Sequence, residues 1–126
     1  MSGEILQEVV DLLLNYLPKK WKSFALYSEF VGSMSMTKFY IDSGKGYKDC
    51  YQFGYDRQSL IELFFKIEAV LLSERNQLKG KKRWNVFTMF VDSEGNLEFK
   101  LDYTDISKTY VNYCIEWEKE NIYNIK

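Results

Sequence analysis

Apolar residues recur three and four positions apart through residues 3–17, GEILQEVVDLLLNYL. Ile5, Val9, Leu12, Leu13 and Tyr16 share one side, with Glu4, Glu8, Asp11 and Asn15 between them. That spacing predicts an amphipathic helix with Ser2 as its cap. Pro18 has no backbone donor to extend the ladder, so the helix is expected to stop there. Lys19, Lys20 and Lys22 then lie near its carbonyl end, where positive charge is favourable. Trp21 reads as a plug where helix meets sheet.

From Phe24 to Ile41 the period shortens to two, in the runs SFALYSEFV and MSMTKFYID, which are parted by Gly32-Ser33. This predicts a β-hairpin. A turn at Ser43-Gly44-Lys45-Gly46 leads into YKDCYQFGY, a third and shorter strand. The Gly-Lys-Gly triplet lacks the glycine spacing and following hydroxyl of a phosphate loop. Residues 57–78 carry the longest helical pattern. Asp56 or Ser59 serves as cap, Glu62 completes a capping-box spacing with Ser59, and Leu60, Leu63, Phe64, Ile67, Val70, Leu71 and Leu78 form one apolar stripe. Such a stripe reads as a core face rather than a partner groove. Lys79-Gly80-Lys81-Lys82-Arg83 ends the helix.

Trp84 opens the next strand, NVFTMFV, and DSEGN forms a tight turn. LEFKLDY then alternates Leu97, Phe99, Leu101 and Tyr103 with Glu98, Lys100 and Asp102. One face of this hairpin is expected on the core, Tyr103 included, and the other is charged. From Ser107 onward Tyr110, Val111, Cys114, Ile115 and Trp117 fall mostly at helical spacing, which predicts a short last helix. The order helix, three strands, helix, two strands, helix predicts one α+β domain over residues 1–126, with a mostly antiparallel sheet of about five strands covered by helices.

Composition narrows the chemistry. Forty-six per cent hydrophobic and 28% charged residues in 126 positions describe a folded domain with its own core rather than a disordered segment. Histidine is absent, which removes serine-histidine and cysteine-histidine mechanisms and the commonest metal ligand. The only two cysteines, Cys50 and Cys114, are far apart in sequence and read as reduced thiols of a reducing compartment. The first residues carry Glu4 where a signal peptide is positive, and Gln7, Glu8 and Asp11 interrupt the apolar run. The expectation is therefore a cytoplasmic chain with no membrane span, no metal and no cofactor.

Charge is uneven along the chain although the net value is only −1. Residues 1–91 carry +3 and residues 92–126 carry −4; the acidic set is Asp92, Glu94, Glu98, Asp102, Asp105, Glu116, Glu118 and Glu120. One reading is a solvated surface with Asp92 and Glu94 in a turn and Asp105 as a helix cap. The other is a patch that meets a basic protein surface, where complementary potentials speed association and select the partner. Tyr110 and Tyr113 flank this stretch and offer large contact area with few torsions to freeze.

Several signals occur together in order: Leu17-Pro18-x-x-Trp21, a lone Trp84, Asp92-Ser93-x-Gly95-x-Leu97-x-Phe99-x-x-Asp102-Tyr103-x-Asp105, and Ile115-Glu116-Trp117. In this the chain resembles the YezG-like antitoxins, or immunity proteins, over nearly its whole length. Residues 42–56 and those beyond Trp117 depart from that pattern. The resemblance implies a small non-catalytic inhibitor that binds and blocks a secreted polymorphic toxin, in the best-known systems a nuclease. It also implies that Pro18, Trp21, Trp84 and Gly95 are determinants of the fold. Since a nuclease presents cations to phosphate, carboxylates offered in place of phosphates can occupy the same surface. Glu98, Asp102, Asp105, Glu116 and Glu118 are the candidate toxin-binding acids, with Tyr110 and Tyr113 as aromatic anchors. Lysine at both 102 and 105 is expected to weaken toxin binding while leaving the fold largely intact. Three other readings compete. One is an adaptor domain unconnected with toxins, and another is an enzyme using Glu29 with Glu98 or Asp102. The third is nucleic-acid binding through Lys79–Arg83, which the near-neutral charge disfavours.

Overall fold

A computed structural model describes residues 1–123; residues 124–126 and the side chains of Tyr110 and Val111 lie outside the described residues. The chain runs α1 (Gly3–Leu14), β1 (Ser23–Val31), β2 (Met34–Asp42), β3 (Tyr47–Asp49), α2 (Arg57–Arg75), β4 (Val86–Asp92), β5 (Leu97–Asp102) and α3 (Tyr110–Glu118). Short 3-10 turns follow β3 and precede β4, and a π-helical turn, Lys119–Tyr123, extends α3. This is the expected α+β order, with an open antiparallel sheet of five strands arranged β3-β2-β1-β4-β5.

Helices cover both faces of this sheet. On one side α1 and α2 bury Val9, Leu13, Leu63, Ile67 and Leu71 against Phe24, Leu26, Phe39, Phe87 and Met89. On the other, α3 and its π-helical turn bring Cys114, Trp117 and Ile122 onto Ala25, Tyr27, Tyr40 and Phe90. The central strand β1 is consequently buried on both faces from Phe24 to Phe30. Removing each large apolar side chain from water contributes about 1.5–3 kcal/mol, and the aromatic pairs across these layers, such as Trp117 with Tyr27 at 5.0 Å, add directional contact.

Local chemistry explains where the elements begin and end. Ser2 Oγ accepts the Ile5 N–H at 3.3 Å and caps α1. That helix closes at Leu14 with Asn15 as C-cap, a turn earlier than the sequence pattern implies: Pro18 has no N–H for the Leu14 carbonyl, and the Tyr16 and Leu17 N–H groups turn instead to Leu13 and Leu14. Trp21 sits partly buried against Phe24, ring centroids 5.8 Å apart, where α1 gives way to the sheet. Asp56, not Ser59, caps α2, its Oδ2 accepting the Ser59 N–H at 3.2 Å. The Gly32-Ser33 turn closes the first hairpin, with Gly32 at φ +59°, as a type II′ turn asks of its first central residue.

Two expectations need correction. The third strand is three residues long, because the Asp49 carboxylate accepts the Tyr51 N–H and turns Cys50–Gln52 into a 3-10 turn. Tyr103 is not a core residue: β5 ends at Asp102, whose carboxylate accepts the Thr104 N–H and turns the chain, leaving Tyr103 53% exposed. Among the described residues no helix is long and apolar enough to cross a membrane.

Candidate functional site

Strand register determines what lies beneath α3. Four cross-strand rows point their side chains to that side of the sheet. Met36, Glu29, Val86 and Asp102 form one row; Lys38, Tyr27, Thr88 and Lys100 the next; Tyr40, Ala25, Phe90 and Glu98 the third; Asp42, Ser23 and Asp92 the last. The α3 face therefore carries Tyr27, Glu29, Lys38 and Asp102, while the opposite face is the core of α1 and α2 with Ser28 and Thr37 buried within it.

Four side-chain hydrogen bonds in this layer matter here. Lys38 Nζ and the Tyr40 hydroxyl both donate to Glu118 Oε2, each at 2.8 Å. Burial acts to lower the Lys38 ammonium, and the Glu118 carboxylate outweighs it, so the net shift is upward. Tyr27 donates to Glu29 Oε1 at 2.7 Å, and burial raises the Glu29 carboxyl above the ordinary carboxylate range against the opposing effect of that hydrogen bond. Tyr113 donates to the Asp102 carboxylate. Burial pushes Asp102 up, but the Tyr113 hydroxyl and the Thr104 N–H prevail and hold it below its ordinary value.

These contacts sort the candidate acids. Glu98, Asp105 and Glu116 are exposed. Glu116 meets only Lys119, at 3.3 Å on the helix surface, a kind of pair that adds little. Asp105 accepts the Ser107 N–H at 3.0 Å, which keeps its carboxyl below the usual range and turns the chain before α3 rather than capping it. Asp102 is half-buried and ties the end of β5 to α3. Glu118 faces inward as part of the packing between α3 and β2, with its side chain 13% exposed. Tyr113 is half-buried with its hydroxyl engaged, and the Tyr110 side chain lies outside the described residues. The exposed acidic surface is thus Glu94, Glu98, Asp105, Glu116 and Glu120 around β5 and α3.

Around Glu98 the surface is accessible in two senses. β5 is the sheet edge, so its outer backbone groups have no neighbouring strand. Beside it an open hollow of about 460 Å³ lies over β4 and β5 and is lined by Phe90, Glu98, Lys100 and Asn121. Leu97 and Phe99, on the opposite face of the edge strand, are 37% and 39% exposed.

Glu29 and Asp102 share a row and are shifted in opposite directions, as paired acid and base carboxylates are. They do not face one cleft: Val86 stands between them, 1% exposed, and two strand spacings separate their Cα positions by about 10 Å. The Lys79–Arg83 run forms a 3-10 turn, and Arg83 is spent on the Leu78 carbonyl through Nε and Nη2 at 3.1 and 2.8 Å. No group of three or more histidine, cysteine or acidic residues arranged to hold a metal occurs among the described residues.

The sequence pattern missed two buried polar residues of α2. Glu68 accepts Ser35 Oγ at 2.8 Å and Thr37 Oγ1 at 2.5 Å, and Thr37 is also bonded to Ser28. Arg75 donates from Nε to the Trp84 carbonyl and from Nη2 to Asn85 Oδ1, with its guanidinium 5.6 Å from the Phe30 ring. Both continue the apolar stripe, Glu68 four residues after Phe64 and Arg75 four after Leu71, and that placement was the available signal. No protein-family model matches the chain, and neither does any curated protein.

Proposed function

We infer that the protein is an immunity-type inhibitor that binds and neutralises a cationic toxin domain, a nuclease, by covering its substrate surface with the acidic edge of β5 and the outer face of α3. The observation that carries this reading is an open edge strand with exposed Leu97 and Phe99, together with the exposed carboxylates Glu94 and Glu98 on its turn and strand and Asp105 and Glu116 before and on α3. An edge strand offers backbone donors and acceptors to a partner. Acids around it favour a basic one, and they raise the rate of encounter more than the final affinity. The likeness of the Asp92–Asp105 segment and of Ile115-Glu116-Trp117 to YezG-like antitoxins supports the same assignment.

The test is co-expression with the toxic C-terminal domain encoded by the neighbouring gene. Survival of the cells together with a stoichiometric complex supports the inhibitor. Death of the cells with no complex refutes it and leaves the adaptor reading. Charge reversal belongs at Glu98 and Glu116, whose carboxylates do not hold the fold together. Glu98→Lys with Glu116→Lys is expected to slow association at low salt while the fold persists.

A further inference from the structure

A cavity of about 410 Å³ lies between the end of the β1–β2 hairpin and the start of α3. Its walls include Val31, Met36, Lys38, Ser107 and Cys114, and Met34 and Ile115 in the lining are 63% and 42% exposed. Glu29 also lines it and is 3% exposed. One Glu29 oxygen takes the Tyr27 hydroxyl. No side-chain hydrogen bond to the other oxygen occurs among the described residues. Glu29 is thus a nearly buried carboxylate in the lining of the cavity. Lys38, the one cation in the lining, is already committed to Glu118 at 2.8 Å. The cavity thus has mostly apolar walls, two of them methionines, and a buried carboxylate that has no counter-ion among the described residues.

We propose that this cavity binds an organic monocation, an ammonium or guanidinium group on an apolar stem, with Glu29 as its counter-ion and Met34, Met36, Val31 and Ile115 around the stem. A buried carboxylate is costly unless it is paired, and an incoming cation supplies the pair that the fold does not. Burial already raises the Glu29 carboxyl, the mark of an anion short of compensation. Methionine walls adapt to stems of differing shape, and the volume falls within the range of small-ligand sites. The same chemistry comes from two sources, a free small amine or the side chain of a lysine or arginine on a bound protein. The proposal does not depend on the inhibitor reading.

The experiment titrates the intact protein with n-hexylamine, n-hexanol and Nα-acetyl-lysine methylamide, followed by calorimetry and by NMR shifts of the methionine methyl groups. Hexylamine is expected to bind and to perturb Met34 and Met36, with hexanol at least about tenfold weaker. Glu29→Gln keeps an acceptor for Tyr27 and is expected to weaken hexylamine by about tenfold or more. Ile115→Trp narrows the mouth from an exposed position without touching Glu29, and is expected to weaken it too. Binding of the lysine derivative as well as hexylamine assigns the cavity to a side chain; binding of hexylamine alone assigns it to a free amine. The proposal is overturned by no binding up to about 10 mM, by hexanol matching hexylamine, or by full affinity in Glu29→Gln.

Discussion

The hydrogen bond from Tyr113 to Asp102 joins the last strand to the last helix, and a double-mutant cycle measures it. Asp102→Asn and Tyr113→Phe each remove the charge-assisted contact, while the amide oxygen introduced by the first still accepts the Thr104 N–H. A hydrogen bond to an ionised acceptor contributes about 1.5–3 kcal/mol, and the half-buried position of both partners places it near the lower end. Each single variant should therefore lose about 1.5 kcal/mol at neutral pH, near 4 °C per kcal/mol in Tm for a chain of this length, and the double variant little more. Asp102 is held below its ordinary value, so the folded state binds fewer protons than the unfolded state between the two titrations. The contribution is whole above the unfolded value of about 4 and disappears as pH falls through the folded one. Urea denaturation at neutral and acidic pH reads both quantities. A coupling energy near zero, or a gap between wild type and Asp102→Asn that stays constant into acid, would refute the reasoning. Lysine at 102 removes the same contact, so it is expected to lower stability by a similar amount as well as altering charge.

Glu68→Ala should cost about 2 kcal/mol in urea denaturation with unchanged slope, since it removes the charged acceptor of Thr37, which is buried and keeps only Ser28, and of Ser35, which is exposed to water, whereas Glu68→Gln should cost about 1; equal effects would show that the acceptor is not the cause. Gly95 has φ +93° in the β4–β5 turn, so Gly95→Ala should cost about 1 kcal/mol and speed amide exchange in β5 ahead of β1. Burial pushes the Cys50 and Cys114 thiols up to about 11 and about 12, so neither should react with Ellman's reagent in the native state near pH 8, and both should on unfolding. Rapid stoichiometric reaction of the native protein at either thiol would contradict that burial.

Much of the fold was legible because period and punctuation agree. The shift from helical spacing to alternation after Trp21, and the glycine turns at Gly32 and Gly95, identify elements that the structure contains. Interior polar residues were harder to read, because charge by itself argues for the surface. Glu29, Glu68 and Arg75 are interior, each satisfied at least in part by a hydroxyl, carbonyl or amide supplied from elsewhere in the chain. Glu118 follows Cys114 by four residues and so shares the inward face of α3 with it. Only the position of Lys38 and Tyr40 on β2 shows why a carboxylate belongs there. Tyr103 misled for the opposite reason: alternation predicts facing only as long as the strand continues, and an Asx turn ended this one at Asp102.

Pairing β1 with β4 has a consequence for how the chain finds its structure. Both hairpins, β1–β2 and β4–β5, close over short turns from neighbouring residues, whereas Ser23 must meet Asp92, and Glu29 must meet Val86, across β2, β3 and the whole of α2. The entropy of closing that long loop falls on the pairing of β1 with β4. Because β1 is also the strand buried on both faces, the step that fixes the sheet's centre creates the platforms for α2 and α3 together. Folding is thereby made cooperative at the seam between the two halves of the sequence.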